Sequence, residues 1–193
     1  MNYLFFDIEC ANIFDGVGKI CEFGYVLTDE SLNTLKHGVL TVDPDAEFDW
    51  YVKYKIISYP VEKYQSSPKY PEVYREHIGA LLELSDTVYV GHGVHDDIKY
   101  INDESTRYSL PRFERTTVDA SSIRKKFYGL PKPISLKNIV KELGLGDPKR
   151  LHNSEYDATM TLEYVKVMCK ESGLTFARLI EKYPKNTSGN TTP

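Results

Sequence analysis

Apolar and polar positions along this chain switch between a two-residue and a 3.6-residue period. Residues 3–9 (Tyr-Leu-Phe-Phe-Asp-Ile-Glu) form the apolar run of a central strand buried on both faces. Residues 20–28 and 36–43 read as further strands. Gly16, Gly18 and Asp29-Glu30-Ser31 supply turn chemistry between them, so an antiparallel meander is expected. Residues 87–91 form another buried strand, and 116–119 a short one. Residues 71–84, 94–102, 120–127, 135–143, 154–171 and 175–183 read as helices, and the stretch 44–69, rich in Pro, Tyr and Ser, as irregular with one short helix. This order predicts an α/β fold: a mixed central β-sheet of about five strands, one antiparallel, with helices on both faces. Pro184 stops the last helix, so residues 1–183 are expected as one domain and 184–193 as a flexible tail.

Composition adds bounds rather than a function. A chain of 193 residues, 41% hydrophobic and 27% charged, suits a single domain with a sizeable core. No apolar run approaches a membrane span, and the N-terminus lacks the basic flank of a signal peptide, so no membrane partner is expected. Three cysteines without metal-ligand spacing read as reduced thiols of a cytoplasmic protein. The net charge of −4 lacks the basic surface that usually accompanies phosphate binding. Basic clusters at Arg124-Lys125-Lys126, Lys132/Lys137 and Lys149-Arg150 are read as solvated helix faces.

The chemistry lies in four carboxylates at three separated places. Asp7 and Glu9, two apart on a strand, leave the same face. Alone, they are equally a metal-binding pair or the solvated end of a strand. Asp97 sits at the edge of the Val94/Ile98/Ile101 stripe of a helix while Asp96 points almost oppositely; alone, Asp97 reads as a helix-start residue. Asp157 falls on the inward stripe continued by Met160, Thr161, Tyr164, Val165 and Met168. An acid there must be neutralised, paired or metal-bound. His152, five residues earlier in a loop, has a pKa suited to general-base work, although a surface histidine is the commoner reading. His92, between a buried strand and Gly93, reads as a supporting, backbone-bonding group rather than a ligand.

Three motifs in order resemble those of the DEDDh 3′–5′ exonucleases, in the ribonuclease H-like superfamily, which include the epsilon proofreading exonuclease of DNA polymerase III. Phe5-Phe6-Asp7-Ile8-Glu9 resembles the first. The segment Gly91-His92-Gly93-Val94-His95-Asp96-Asp97-Ile98 resembles the second, with Asp five residues after His. His152-Asn153-Ser154-Glu155-Tyr156-Asp157-Ala158 resembles the third. Val118-Asp119-Ala120-Ser121 and Ser135-Leu136-Lys137-Asn138-Ile139-Val140 resemble the intervening strand and helix, so the resemblance covers about residues 2–170. Gly93 and Asp96 stand where the family usually has Asn and Phe.

The resemblance implies two Mg²⁺ or Mn²⁺ ions held by Asp7, Glu9, Asp97 and Asp157, with His152 as the base that takes a proton from the attacking water. It implies release of nucleoside 5′-monophosphates from the 3′ ends of single-stranded nucleic acid, DNA being favoured over RNA. By the same analogy the segment 10–14 borders the terminal nucleotide, so Asn12, Phe14 and His92 are nucleic-acid-binding candidates. A DNA polymerase is a partner in one variant of this expectation. A catalytically weak binding or polymerase-docking module is the competing class.

Overall fold

A computed structural model describes residues 1–184 and the backbone of 186–187. Three strands open the chain, β1 (Asn2–Phe14), β2 (Val17–Thr28) and β3 (Thr34–Thr41), forming the expected meander. A π-helical turn (Val52–Ile56) and α1 (Val61–Gln65) order the segment expected to be mostly irregular. Then α2 (Tyr70–Val73) passes through a second π turn (Tyr74–Ile78) into α3 (Gly79–Leu82). The alternating half follows: β4 (Thr87–Gly91), α4 (His95–Arg107), β5 (Thr117–Asp119), α5 (Ala120–Phe127), α6 (Leu136–Leu143), α7 (Ser154–Ser172) and α8 (Phe176–Lys182).

The sheet runs β3-β2-β1-β4-β5, closed by a two-residue β6 (Asn186–Thr187). β4 and β5 lie parallel to β1, whereas β2 is antiparallel to it and β6 to β5. The expected five-strand mixed sheet is therefore present, with β6 added at its edge. The tail expected over 184–193 lies, apart from Pro184 and the β6 pair, outside the described residues.

The two faces of β1 explain the layering. Tyr3 and Phe5 enter a core built with α5 to α8, while Leu4, Phe6 and Ile8 enter a second core built with α2 to α4. Both faces are thus covered by helices, and β1 is buried because its residues are apolar on both sides.

One expectation needs correction. Asp7 and Glu9 were expected at the C-terminal end of their strand, with 10–14 as a segment beyond it. β1 instead continues to Phe14, pairing with β2 through the tight turn at Asp15-Gly16. Pairing with β4, however, stops at Phe5↔Val90. β2 keeps β3 as a partner as far as Glu22, opposite Glu9, and past Glu9 β1 and β2 run on as a two-stranded ribbon, with bulges between Glu9 and Asn12. The two acids therefore lie where a parallel neighbour ends, the crevice that open α/β sheets use for ligands.

Candidate active site

Period-two alternation puts Asp7 and Glu9 on the β1 face that looks toward α7, since Tyr3 and Phe5 pack there. α7 begins at the N-cap Asn153, whose side chain accepts from Tyr156 N–H at 2.9 Å. That cap places Asp157 in the first turn, where the helix dipole favours a negative charge. Asp157 is 8% exposed. Its Oδ2 accepts from the His152 N–H at 3.3 Å, while its buried Oδ1 has no partner.

Asp97 lies in the first turn of α4, as the stripe argument predicts, and its neighbour Asp96 is exposed. The backbone N–H of Ile8, the residue between Asp7 and Glu9, acts on the Asp97 carboxylate and opposes the rise in pKa that burial causes.

His152 has φ +72°, a left-handed conformation uncommon for a residue with a Cβ. Its carbonyl accepts from Ser58 Oγ at 3.0 Å, which ties the loop to the segment after the first π turn. Nδ1 lies 3.8 Å from Glu9 Oε1, an ionic separation rather than a hydrogen bond. Glu9, His152 and Asp157 each offer a ligand atom, all within 4.8 Å of one another.

The electrostatics show how tightly the acids crowd. Burial, then the charges of Asp97, Asp157, Glu9 and Glu22, push Asp7 well above the ordinary carboxylate range. Burial raises Asp97 to about 8 and Asp157 to about 7. His152 is raised chiefly by Glu9, against burial. Convergent anionic oxygens, one of them buried and unpaired, fit hard divalent cations, which take oxygen ligands. Soft-metal binding is not indicated, because the three cysteines are free and none belongs to the cluster.

The nucleic-acid candidates divide. Asn12, Ile13 and Phe14, on the ribbon, line one wall of a cleft of about 500 Å³ whose other wall is Glu47, Phe48, Asp49 and Val52. Phe14 is 75% exposed, whereas the Asn12 amide is held by the Glu47 carbonyl. His92 turns elsewhere: Nδ1 is 3.1 Å from the hydroxyl of buried Tyr164, with the rings edge to face. Burial lowers its pKa, and its charged neighbours are Asp119 and Arg124 rather than the four acids.

Two features escaped the sequence reading. Arg124 is not on a solvated face; it is 3% exposed and donates to Glu142 at 2.9 Å. Glu22, opposite Glu9 in the β1–β2 ladder, is fully buried and supports α7. It accepts from the backbone N–H and hydroxyl of Ser154 and from Tyr64 OH. The signal was an acid inside the apolar run 20–28, which demands partners.

A ribonuclease H-like sheet bearing these motifs in this order is the framework of the DEDDh 3′–5′ exonucleases, a class of nuclease hydrolases that use divalent metals. Residues 60–168, more than half of the chain, match the model of the family described as DNA polymerase III subunit epsilon-like, C-terminal domain, and the chain belongs to this DEDDh family. DNA polymerase III subunit epsilon of Aquifex aeolicus (strain VF5) is 30% identical over 86 residues, covering 44% of this chain and 42% of that protein. The chain thus matches less than half the length of this curated relative. Among solved structures, the complex of E. coli exonuclease I with single-stranded DNA superposes with a TM-score of 0.78 at 17% identity, over 94% of this chain and 42% of that one. The nuclease domain of 3′hExo, a DEDDh family member bound to rAMP, superposes at 0.75 and 19% identity, over 88% and 92%. Among the described residues, no helix is long and apolar enough to cross a membrane.

Proposed function

We propose that this protein is a 3′–5′ exonuclease that removes nucleoside 5′-monophosphates one at a time from single-stranded DNA, with residues 1–183 as the catalytic domain. The observation that carries the reading is the cluster of Glu9, His152 and Asp157, whose ligand atoms lie within 4.8 Å of one another with one Asp157 oxygen buried and unpaired, beside the charges of Asp7 and Asp97. In this reading the four acids hold two Mg²⁺ or Mn²⁺ ions. When bound, the ions supply Lewis acidity toward the scissile phosphate and the attacking water.

The protein's own groups divide the remaining work. Glu9 draws His152 Nδ1 toward it, which leaves Nε2 to take the water proton. The water oxygen bonds to phosphorus as the bond from phosphorus to the 3′-oxygen breaks, leaving a shortened strand with a 3′-hydroxyl. The cleft between the ribbon and residues 47–52 receives the terminal nucleotide, with Phe14 stacking on its base and Asn12 at its edge. His92 supports this site through Tyr164 rather than by touching the strand.

The epsilon relative favours DNA as substrate and a DNA polymerase as partner. The similarity to a nuclease bound to rAMP keeps RNA as the second reading. Incubation of 5′-labelled DNA and RNA oligonucleotides with Mg²⁺ or EDTA tests both, beside an Asp7→Ala/Glu9→Ala control. A ladder shortening from the 3′ end, absent in EDTA and in the control, is the expected result. Intact oligonucleotides in both Mg²⁺ and Mn²⁺ would defeat it.

A further inference from the structure

The segment between β3 and α1 presents an unusual surface. Trp50, Tyr51 and Tyr54 are 67%, 59% and 59% exposed, although large aromatic rings are ordinarily drawn inward. The Trp50 and Tyr54 rings lie 5.5 Å apart and tilted, with the Lys53 ammonium over Tyr54 at 5.4 Å. Five of the eight large exposed hydrophobics of the described residues are Ile13, Phe14, Trp50, Tyr51 and Tyr54. They gather on the ribbon and on the segment facing it, which shares a cleft with it.

On its far side the same segment borders a second cleft, also of about 500 Å³. Its walls include Tyr54, Lys55 and Ser58 on one side and Lys149, Arg150 and Asn153 on the other. Lys55 and Lys149 form no ion pair among the described residues, and Arg150 stacks over Tyr156 at 4.4 Å. Glu155, the acid at this cleft, is engaged by His37 Nδ1 at 2.5 Å. Lys55, Lys149 and Arg150 outnumber that one carboxylate, so the cleft is cationic, and the Ser58–His152 hydrogen bond sets it beside the loop that carries His152.

We infer that residues 50–55 and 149–150 form a tract for the single-stranded nucleic acid lying 5′ of the terminal nucleotide. Bases stack on Trp50 and Tyr54, and backbone phosphates meet Lys55, Lys149 and Arg150. The inference rests on the exonuclease reading of the adjoining site. Exposed rings interleaved with unpaired cations are what a sequence-tolerant strand binder uses. The tract also resolves the charge problem: phosphate attraction is concentrated here although the chain as a whole is acidic.

Trp50 is the chain's one tryptophan, so it reports on its own surroundings. The protein is titrated in Mg²⁺ with a decathymidylate whose phosphorothioate linkages resist hydrolysis, exciting tryptophan alone. Emission is expected to fall to a plateau with the oligomer and to stay unchanged with thymidine 5′-monophosphate. Tyr54→Ala should weaken the oligomer's affinity about tenfold. Lys55→Ala/Lys149→Ala should weaken it and flatten its salt dependence by about 1.4 units in the log–log slope. In turnover, both variants should lose about tenfold in kcat/KM on ordinary decathymidylate and nothing on the p-nitrophenyl ester of thymidine 5′-monophosphate, which has no upstream strand. Unchanged emission, or equal losses on both substrates, overturns the tract. Turnover of both substrates with unchanged emission removes the tract and leaves the exonuclease standing. A quench without any turnover does the reverse.

Discussion

Glu22 accepts two hydrogen bonds from Ser154, one from its backbone N–H at 2.8 Å and one from its hydroxyl at 2.7 Å. A residue of β2 thereby holds the first residue of the helix that carries Asp157. Tyr64 OH donates to the other oxygen at 2.7 Å. Burial raises the Glu22 pKa, and these donors oppose the rise. Glu22→Ala orphans three donors in a site without solvent. It should cost about 2 kcal/mol or more, seen as a fall in Tm of roughly 4–8 °C. Glu22→Gln keeps one acceptor and should lose less; an equal loss for both would show that the contact is packing alone.

Gly24 permits the same docking by having no side chain. A Cβ there would stand 2.0 Å from Glu155 N and 2.1 Å from the Ser154 carbonyl carbon, both backbone atoms that cannot step aside. Gly24→Ala should therefore cost about 3 kcal/mol, measured by urea unfolding, and cut metal-dependent turnover as α7 is displaced. Gly93 behaves oppositely. Its φ is +72°, a Cβ would meet nothing within 4 Å, and its N–H is held by Asp119 at 2.9 Å. Asn tolerates that conformation, so Gly93→Asn should leave Tm nearly unchanged, and a fall of many degrees would contradict the geometry.

Stability in the absence of metal should fall as pH rises. Asp97 and Asp157 are raised to about 8 and about 7 from an ordinary 3.8. The native state then binds more protons than the unfolded chain between those values, so the slope of stability against pH is negative from about 4 to about 8. Melting curves in EDTA across that window check the sign. Adding Mn²⁺ at pH 8 should raise Tm in the wild type and much less in Asp7→Ala/Glu9→Ala. A Tm in EDTA that is flat or rising with pH would defeat the prediction.

His152→Ala should lower kcat by about 10²- to 10⁴-fold with little change in KM. The side chain is about half exposed, so Tm should barely move. His152→Asn, which tolerates the left-handed backbone, separates the loss of the base from any change in the loop. An unchanged kcat in both variants would remove His152 from the mechanism.

The sheet and its helices were legible because period-two and 3.6 patterns report burial directly, as in β1 and α7. The acids were legible because each stands on or beside an apolar stripe, where a charge is costly. Glu22 was passed over because its partners, Ser154 and Tyr64, lie 132 and 42 residues away, and no local pattern announces them. Arg124 was misplaced for a related reason: its Glu142 partner comes from the next helix, so the basic run around it looked solvated. The extent of β1 past Glu9 was hidden because bulges interrupt its alternation between Glu9 and Asn12 and its tip, Ile13 and Phe14, is exposed.

That ribbon gives the acids an unusual mechanical setting. Asp7 and Glu9 sit on the same unbroken strand as Phe14, and the bulges between Glu9 and Asn12 are the joint between them. The Lys99 ammonium, about one turn after the start of α4, donates to the Gly16 carbonyl at the ribbon's tip and so leashes it to the helix of Asp97. Pressure applied at the tip is thus delivered along one backbone and one helix to three of the four acids. In the proposed exonuclease reading, a strand end seated against Phe14 would bear on the same backbone that carries Asp7 and Glu9, and the ribbon would act as a lever on those oxygens.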